Sequence, residues 1–331
     1  MKNIFTCITL IVILFLGCSH ELKYHFTQGR NHTHYKIKYL SDASLDKEIK
    51  ECIEQYYKSL NPFDSTSTTY KVNKNIDVEL DTLFIRAFNA ANAISVNSSG
   101  MVDITCAPLL NLWGFGFERM DSISPAIIDS LKQFVGYQKI RVADNKIVKD
   151  NPAIQLSFSS IGDGFCCDLI GNLLDKHGVE NYMIDVGGEM LTKGVNEMGE
   201  GWTIGIAKPI DDPLGINRQI EQRMQYSDRL ALATSGDYRN FYIKDGKKYA
   251  HTLNPVTGYP AAQNILGATV IAKNCTDADG YATAIMSLGT KRLKELPISE
   301  LGIEYYIIYT DEEGKYSIGY SDGMKKYMLN R

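Results

Sequence analysis

Asp279 and Thr283 lie four residues apart in the stretch Asn274-Cys275-Thr276-Asp277-Ala278-Asp279-Gly280-Tyr281-Ala282-Thr283, so on a helix their oxygens share one face. A carboxylate and a hydroxyl so placed suit Mg2+, a hard cation that takes oxygen ligands and bridges to substrate phosphates. Near a helix start the same residues serve equally as a cap and dipole partner, with Thr283 bonding back to a carbonyl. Spacing alone favours that plainer role. A second cluster, Ser157-Phe158-Ser159-Ser160-Ile161-Gly162-Asp163-Gly164, lies where a predicted strand runs into a helix. Amides and carbonyls left open at such a junction suit anions and metals respectively. It is not a dinucleotide fingerprint, because no third spaced Gly follows.

Two further clusters complete the set. Thr234-Ser235-Gly236-Asp237-Tyr238 is followed across a predicted hairpin by His251-Thr252-Leu253-Asn254-Pro255-Val256-Thr257-Gly258-Tyr259-Pro260. An imidazole beside such a Pro/Gly-constrained turn is a candidate general base, since its ordinary pKa of about 6.5 lets it cycle protons near neutrality. Taken alone, His251 more often stabilises a turn. Gly100-Met101-Val102-Asp103-Ile104-Thr105, with Pro108-Leu109 and Leu112-Trp113-Gly114-Phe115-Gly116 behind it, reads as a turn with an aromatic lip or as a tight structural turn. Together the four clusters suggest a Mg2+-assisted reaction on a phosphate-bearing ligand, with aromatic residues available for a planar ring.

Positioning these groups requires elements that the apolar periodicity places. Tyr35, Ile37 and Tyr39 alternate with Lys36 and Lys38 as a first strand. Leu45, Ile49, Ile53, Tyr56 and Leu60 recur at helical spacing until Asn61-Pro62, and Leu80, Phe84, Ala87, Phe88, Ala91 and Ile94 mark a second helix. Beyond a third helix at 125–135, hairpins alternate with crossover helices. There is a turn at Asp144-Asn145, a strand at 154–158, a helix at 165–176 and a strand at 182–186. Later come strands at 202–207, 266–272 and 305–309, a hairpin at Asp245-Gly246 and a helix at 278–288. The polar segment 198–227 reads as containing a long loop. This mixture is α+β. No linker divides the chain after residue 33, so it reads as one catalytic domain.

The N-terminus is different material. Lys2-Asn3 leads into an apolar run from Ile4 to Leu16, too short to cross a hydrocarbon layer of about 30 Å comfortably and suited to a signal peptide. Leu14-Phe15-Leu16-Gly17-Cys18 resembles the bacterial lipobox, which implies cleavage after residue 17, lipidation of Cys18 and a fold held outside the cytoplasm at a membrane surface. Residues 18–32, polar and His-rich, read as a tether. With 331 residues, 44% hydrophobic and 22% charged, the rest is large enough for a substantial core, and disorder or collagen-like repeats are excluded. Thirty-five Lys and Arg against 39 Asp and Glu leave no basic excess, so nucleic acid is not an expected partner. No C-x-x-C occurs, and adjacent Cys166-Cys167 in an apolar helical stretch read as small buried thiols.

At its four clusters the chain resembles the ApbE family, the bacterial FAD:protein FMN transferases. The likeness runs from about Thr33 to Gly289. It is carried by Thr33-x-Tyr35-x-Ile37, the Gly100–Gly116 motifs, Ser160-Ile161-Gly162-Asp163-Gly164 ending at Asp168, and Val186-Gly187-Gly188. It continues through Thr234–Tyr238, His251 before Asn254-Pro255-x-Thr257-Gly258-Tyr259-Pro260, and Asp279-x-x-Ala282-Thr283-Ala284. The resemblance implies an α+β, T-fold-related catalytic domain over 33–331, bilobed or not, with mixed sheets flanked by helices around an FAD cleft. It implies Mg2+-dependent transfer of FMN from FAD to a Thr or Ser hydroxyl of a partner protein, an envelope redox subunit, with release of AMP. FAD hydrolysis to FMN and AMP, and non-catalytic FAD binding by a lipoprotein, use the same residues. Position by position, Asp279, Thr283 and the main-chain oxygen of Ser160 would hold Mg2+. Met101, Val102, Asp103, Ser157, Asp163 and Thr252 would contact FAD, with Phe63 stacking on a ring, and His251 would deprotonate the acceptor hydroxyl. Thr276 stands where many members carry another acid. Asn31-His32 replaces the usual Met-Gly, Phe63 a common Tyr, and Asp163 a Lys or Glu. Val256 replaces an Arg that could meet a phosphate.

Overall fold

The computed structural model describes residues 21–118, 122–210, 219–237, 241–244, 247–261 and 263–329. The apolar run 4–16, Cys18, Tyr238 and the Asp245-Gly246 turn lie outside them. In chain order the elements are β1 (Lys23–Asn31), β2 (Thr33–Ser41), α1 (Asp46–Leu60), α2 (Thr68–Asn73), α3 (Thr82–Asn97), α4 (Ala107–Leu112) and α5 (Pro125–Lys132). There follow β3 (Ile140–Ala143), β4 (Lys146–Lys149), α6 (Gly162–Lys176), β5 (Tyr182–Val186), β6 (Glu189–Lys193), β7 (Trp202–Ala207), β8 (Ile220–Tyr226) and β9 (Leu230–Gly236). The last are β10 (Phe241–Lys244), β11 (Lys247–Ala250), β12 (Ile265–Ala272), α7 (Cys275–Arg292), α8 (Ile298–Leu301), β13 (Glu304–Thr310) and β14 (Tyr316–Tyr320).

Eight strands form one antiparallel sheet in the order β1-β2-β5-β6-β9-β12-β13-β14. Its odd-numbered β2 residues Ile37 and Tyr39 are fully buried against α1, α3, α6 and α7, whose inward faces include Ile49, Phe84, Ile94, Ile170 and Ile285. The opposite face is covered at its β9–β12–β13 side by the β7–β8 hairpin, where Ile204, Ile206 and Met224 meet Leu232, Ile271 and Ile308. A third apolar cluster joins α4, α5 and Leu253 around Trp113. The expected α+β class is what forms. Cys166 and Cys167 are buried free thiols.

Three expectations need correction. The tether at 18–32 does not extend to residue 32, because β1 occupies 23–31 and pairs with all of β2. Its alternation is hidden by polar composition, since the residue it buries is Thr27, bonded to Asp46. The expected strand 154–158 buries Ile154, Leu156 and Phe158 but joins no ladder. The side-chain amide of Asn73 instead takes both backbone groups of Leu156, at 2.9 and 2.7 Å, and Ser157 N–H donates to Ile104 at 2.8 Å. Within the segment 198–227, expected to contain a long loop, β7 forms where a strand is predicted at 202–207, but an unexpected strand, β8, pairs with it. Buried Gln222 sits on the inward face of β8, donating to the carbonyl of Leu329, and so masks the period of two.

Candidate active site

The four sequence clusters close around one cavity of about 370 Å3, at the junction of the main core and the cluster around Trp113. The first wall follows α3. Ser99 and Gly100 turn the chain with positive φ, a conformation in which glycine carries no Cβ penalty, and Gly100 N–H closes on Ser95 at 2.8 Å. Met101, Val102 and Asp103 then line the cavity. Asp103 Oδ1 accepts from the Thr105 amide and hydroxyl at 2.8 and 2.6 Å, and Oδ2 accepts from the Tyr137 amide at 2.7 Å. Burial pushes its carboxyl up while these bonds pull it down. With both oxygens engaged, Asp103 sets the shape of this wall.

Ser157, Ser159, Ser160 and Asp163 form the second wall, entering α6. Half-buried Asp163 accepts from Thr33 at 3.2 Å, and its carboxyl is raised by burial and then by the charge of Asp185. Gly187 approaches so closely that a Cβ there would lie 2.2 Å from Asp163 Oδ2, and its φ of +68° is itself a glycine conformation. The third wall brings the end of β9 beside the turn 251–260. Asn254 Oδ1 accepts from Val256 and Thr257 amides at 3.0 and 3.1 Å, and Trp113 Nε1 donates to the Gly258 carbonyl at 2.9 Å. That pinned turn holds His251 and Thr252 on the cavity, the imidazole edge-on to Phe115 at 6.3 Å.

Helix α7 supplies the fourth wall. Asn274 caps it, accepting from Asp277 N–H at 2.7 Å. From α6, Asp168 accepts from the amides of Cys275 and Thr276 at 2.9 Å each and from the Thr276 hydroxyl at 2.6 Å. Thr276 is therefore spent on fastening the two helices. One turn further, Asp279 Oδ2 accepts from Gly164 N–H at 3.2 Å, and Thr283 lies 3.3 Å from the Ser235 hydroxyl. Asp279 and Thr283 share the cavity face, as their spacing predicts. Asp279 is not a rim residue, however, being only 6% exposed. Burial first, then the charges of Glu189 and Asp163, push its carboxyl well above the usual carboxylate range, and the Gly164 amide opposes them.

Of the residues singled out by sequence, Met101, Val102, Asp103, Ser157, Ser160, Asp163, His251, Thr252, Asp279 and Thr283 all line the cavity. Phe63 does not. Its exposed ring packs edge-on against Phe117 and stacks with His32, outside the lining. Sequence reasoning missed Glu189, which follows the Val186-Gly187-Gly188 motif by one residue and enters the cavity as β6 begins. The lining thus carries four carboxylates, Asp103, Asp163, Glu189 and Asp279, with no Lys or Arg among the described residues. Also among them, no group of three or more His, Cys, Asp and Glu side chains is placed to hold a metal.

A model of the ApbE family matches residues 32–307. The chain belongs to the ApbE family. It is 31% identical over 293 residues to the FAD:protein FMN transferase of Vibrio cholerae, covering 85% of this chain and 86% of that protein. With the FAD:protein FMN transferase of Escherichia coli it shares 30% over 305 residues, or 87% and 84% of the two chains. The solved flavin transferase ApbE from Vibrio cholerae superimposes with a TM-score of 0.82 at 28% identity, over 93% of this chain and 100% of that one. An ApbE fold of one large antiparallel sheet flanked by helices is therefore shared along nearly the whole length.

Proposed function

We propose that this ApbE-family chain transfers FMN from FAD to a Thr or Ser hydroxyl of a partner protein and releases AMP, with Mg2+ required. The observation that carries this reading is the charge of the cavity. A diphosphate is anionic, and it is repelled by Asp163, Glu189 and Asp279 unless a cation stands between them. The donors fit Mg2+ and do not fit a softer ion, being the Asp279 carboxylate, the Thr283 hydroxyl and the Ser160 carbonyl, all hard oxygens on neighbouring walls. This mixed set contains a single acid. When bound there, Mg2+ would neutralise charge that develops on the diphosphate oxygens.

The protein's own groups do the rest. Met101, Val102, Ser157 and Thr252 receive the dinucleotide, while Asp103 and Asp163 hold the walls to which they belong. His251 takes the proton of the acceptor hydroxyl, whose oxygen then attacks the phosphorus of the FMN half. The bond from that phosphorus to the bridging oxygen breaks, and AMP leaves with that oxygen. Gly164 N–H keeps Asp279 oriented throughout.

The lipobox-like segment supports a chain cleaved before Cys18, lipidated there and exposed to the periplasm, where its acceptor would be an envelope redox subunit. Incubating the protein with FAD, Mg2+ and such a subunit, then weighing the subunit, tests the activity. The expected result is a mass gain equal to FMN less water. Free FMN without an adduct would replace transfer by hydrolysis, and intact FAD would leave only a binding protein.

A further inference from the structure

The outer face of the β1–β2 hairpin carries an apolar patch at the corner from which the chain runs back to Cys18. Antiparallel pairing sets Phe26 opposite Lys38 and Tyr24 opposite Leu40, on the face away from buried Ile37 and Tyr39. Lys38 pairs with Glu197, so the turn after β6 lies over the same corner, and Tyr24 reaches it too, donating to the Val195 carbonyl at 2.6 Å. Beside Glu197, Met198 is 77% exposed; Leu22 and Phe26 are 62% and 53% exposed. Exposed Lys36 lies on this same face, whereas Lys23, opposite Ser41, belongs to the other; exposed Glu21 adjoins Leu22, and exposed Glu197 and Glu200 stand on either side of Met198. The β7–β8 hairpin, which covers the sheet further along, meets this corner where Trp202 packs edge-on against the Tyr24 ring.

We propose that Leu22, Phe26 and Met198 rest in the interfacial layer of a phospholipid membrane, with Lys36 towards its headgroups. The proposal rests on the lipidated Cys18 put forward above. Only three residues lie between Cys18 and Leu22, four steps that span at most about 14 Å, so an anchored chain cannot hold this corner far from the lipid. Exposed apolar side chains at the anchored end of the chain suit burial in a membrane interface. The lipid chains supply the attachment and the patch supplies an orientation. β1 runs about 27 Å from Lys23 to the turn at Asn31, and Thr33 just beyond that turn bonds Asp163 on the cavity wall. The anchored corner and the cleft are therefore at opposite ends of the hairpin, and the cleft is held off the bilayer towards acceptor proteins.

Hydroxyl-radical footprinting of the full lipidated protein in phosphatidylethanolamine/phosphatidylglycerol vesicles tests this, with peptide masses read at each site. With each rate divided by that of the same site in the unlipidated protein without vesicles, Leu22, Phe26 and Met198 should be modified at least several-fold more slowly than Ile243 and Val256, which are similarly exposed but lie near the cleft. The double variant F26E/M198E should lose the protection at Leu22 while FMN transfer in solution is retained. Patch residues modified as fast as Ile243 and Val256, in a protein whose Cys18 peptide carries lipid, would overturn the orientation alone. A Cys18 peptide without lipid would overturn the anchor and this inference together. Protection seen only after an acceptor protein is added would assign the patch to that partner.

Discussion

The amide of Gly164 on α6 meets the carboxylate of Asp279 on α7 at 3.2 Å, where the two helices leave no room for a side chain at 164. A Cβ on residue 164 would lie 2.3 Å from the Cys275 carbonyl oxygen and 2.8 Å from Asp279 Cβ. Gly164→Ala should therefore push the helices apart, costing about 1–3 kcal/mol of stability. It should also weaken Mg2+ binding by moving Asp279. Urea unfolding and a calorimetric Mg2+ titration read the two effects, and a variant with wild-type values for both would show that the contact positions nothing.

Asp279 is buried among like charges, so its carboxylate is a liability for the fold. Asp279→Asn keeps the shape and removes the repulsion from Glu189 and Asp163. Stability should hold or rise by about 0.5–2 kcal/mol while transfer falls at least about 100-fold. A variant that transfers FMN at the normal rate would remove Asp279 from the cation site.

Asp168 ties the start of α7 to α6 through three hydrogen bonds. Asp168→Ala should cost about 2–3 kcal/mol, and Thr276→Val, which deletes one of the three, should cost less. The reverse ranking in denaturant midpoints would contradict the fastening role given to Asp168.

The role proposed for His251, as base for the acceptor hydroxyl, separates transfer from FAD binding. His251→Ala should slow transfer by about 10²–10⁴-fold and leave FAD affinity nearly unchanged, as measured by single-turnover transfer and fluorescence titration. Equal losses in both would make it a binding residue.

Lys149 provides a pH test outside the cleft. Partial burial lowers its ammonium to about 8, with the Val72 carbonyl at 2.7 Å and Asn75 Oδ1 at 3.1 Å as its acceptors. Between about pH 8 and the ordinary lysine value near 10.4, the unfolded chain binds a proton that the native chain has released, so stability rises with pH across that window. Lys149→Met lacks this rise. The wild-type urea midpoint should gain on the variant from pH 7.5 to 9.5, and a constant difference would show that the native pKa is not depressed.

Much of this organisation is legible in single residues. The 3.6 spacing of Leu45 through Leu60 and of Phe84 through Ile94 yields α1 and α3, because one apolar stripe must be buried. Asp279 and Thr283 share a face because four residues make about one helical turn. β1 and β8 were hidden because Thr27 and Gln222 are buried polar groups whose partners are far away in sequence, and strand 154–158 failed because Asn73 took the bonds that a neighbouring strand would have made. The chain's residue types and spacing determine the helices, most strands, the four clusters and the family they resemble. Tertiary structure alone decided that Glu189 joins the cavity, that Phe63 stays outside its lining and that Asp279 is buried. Those are matters of distance between segments, and local spacing carries no information about which segments meet.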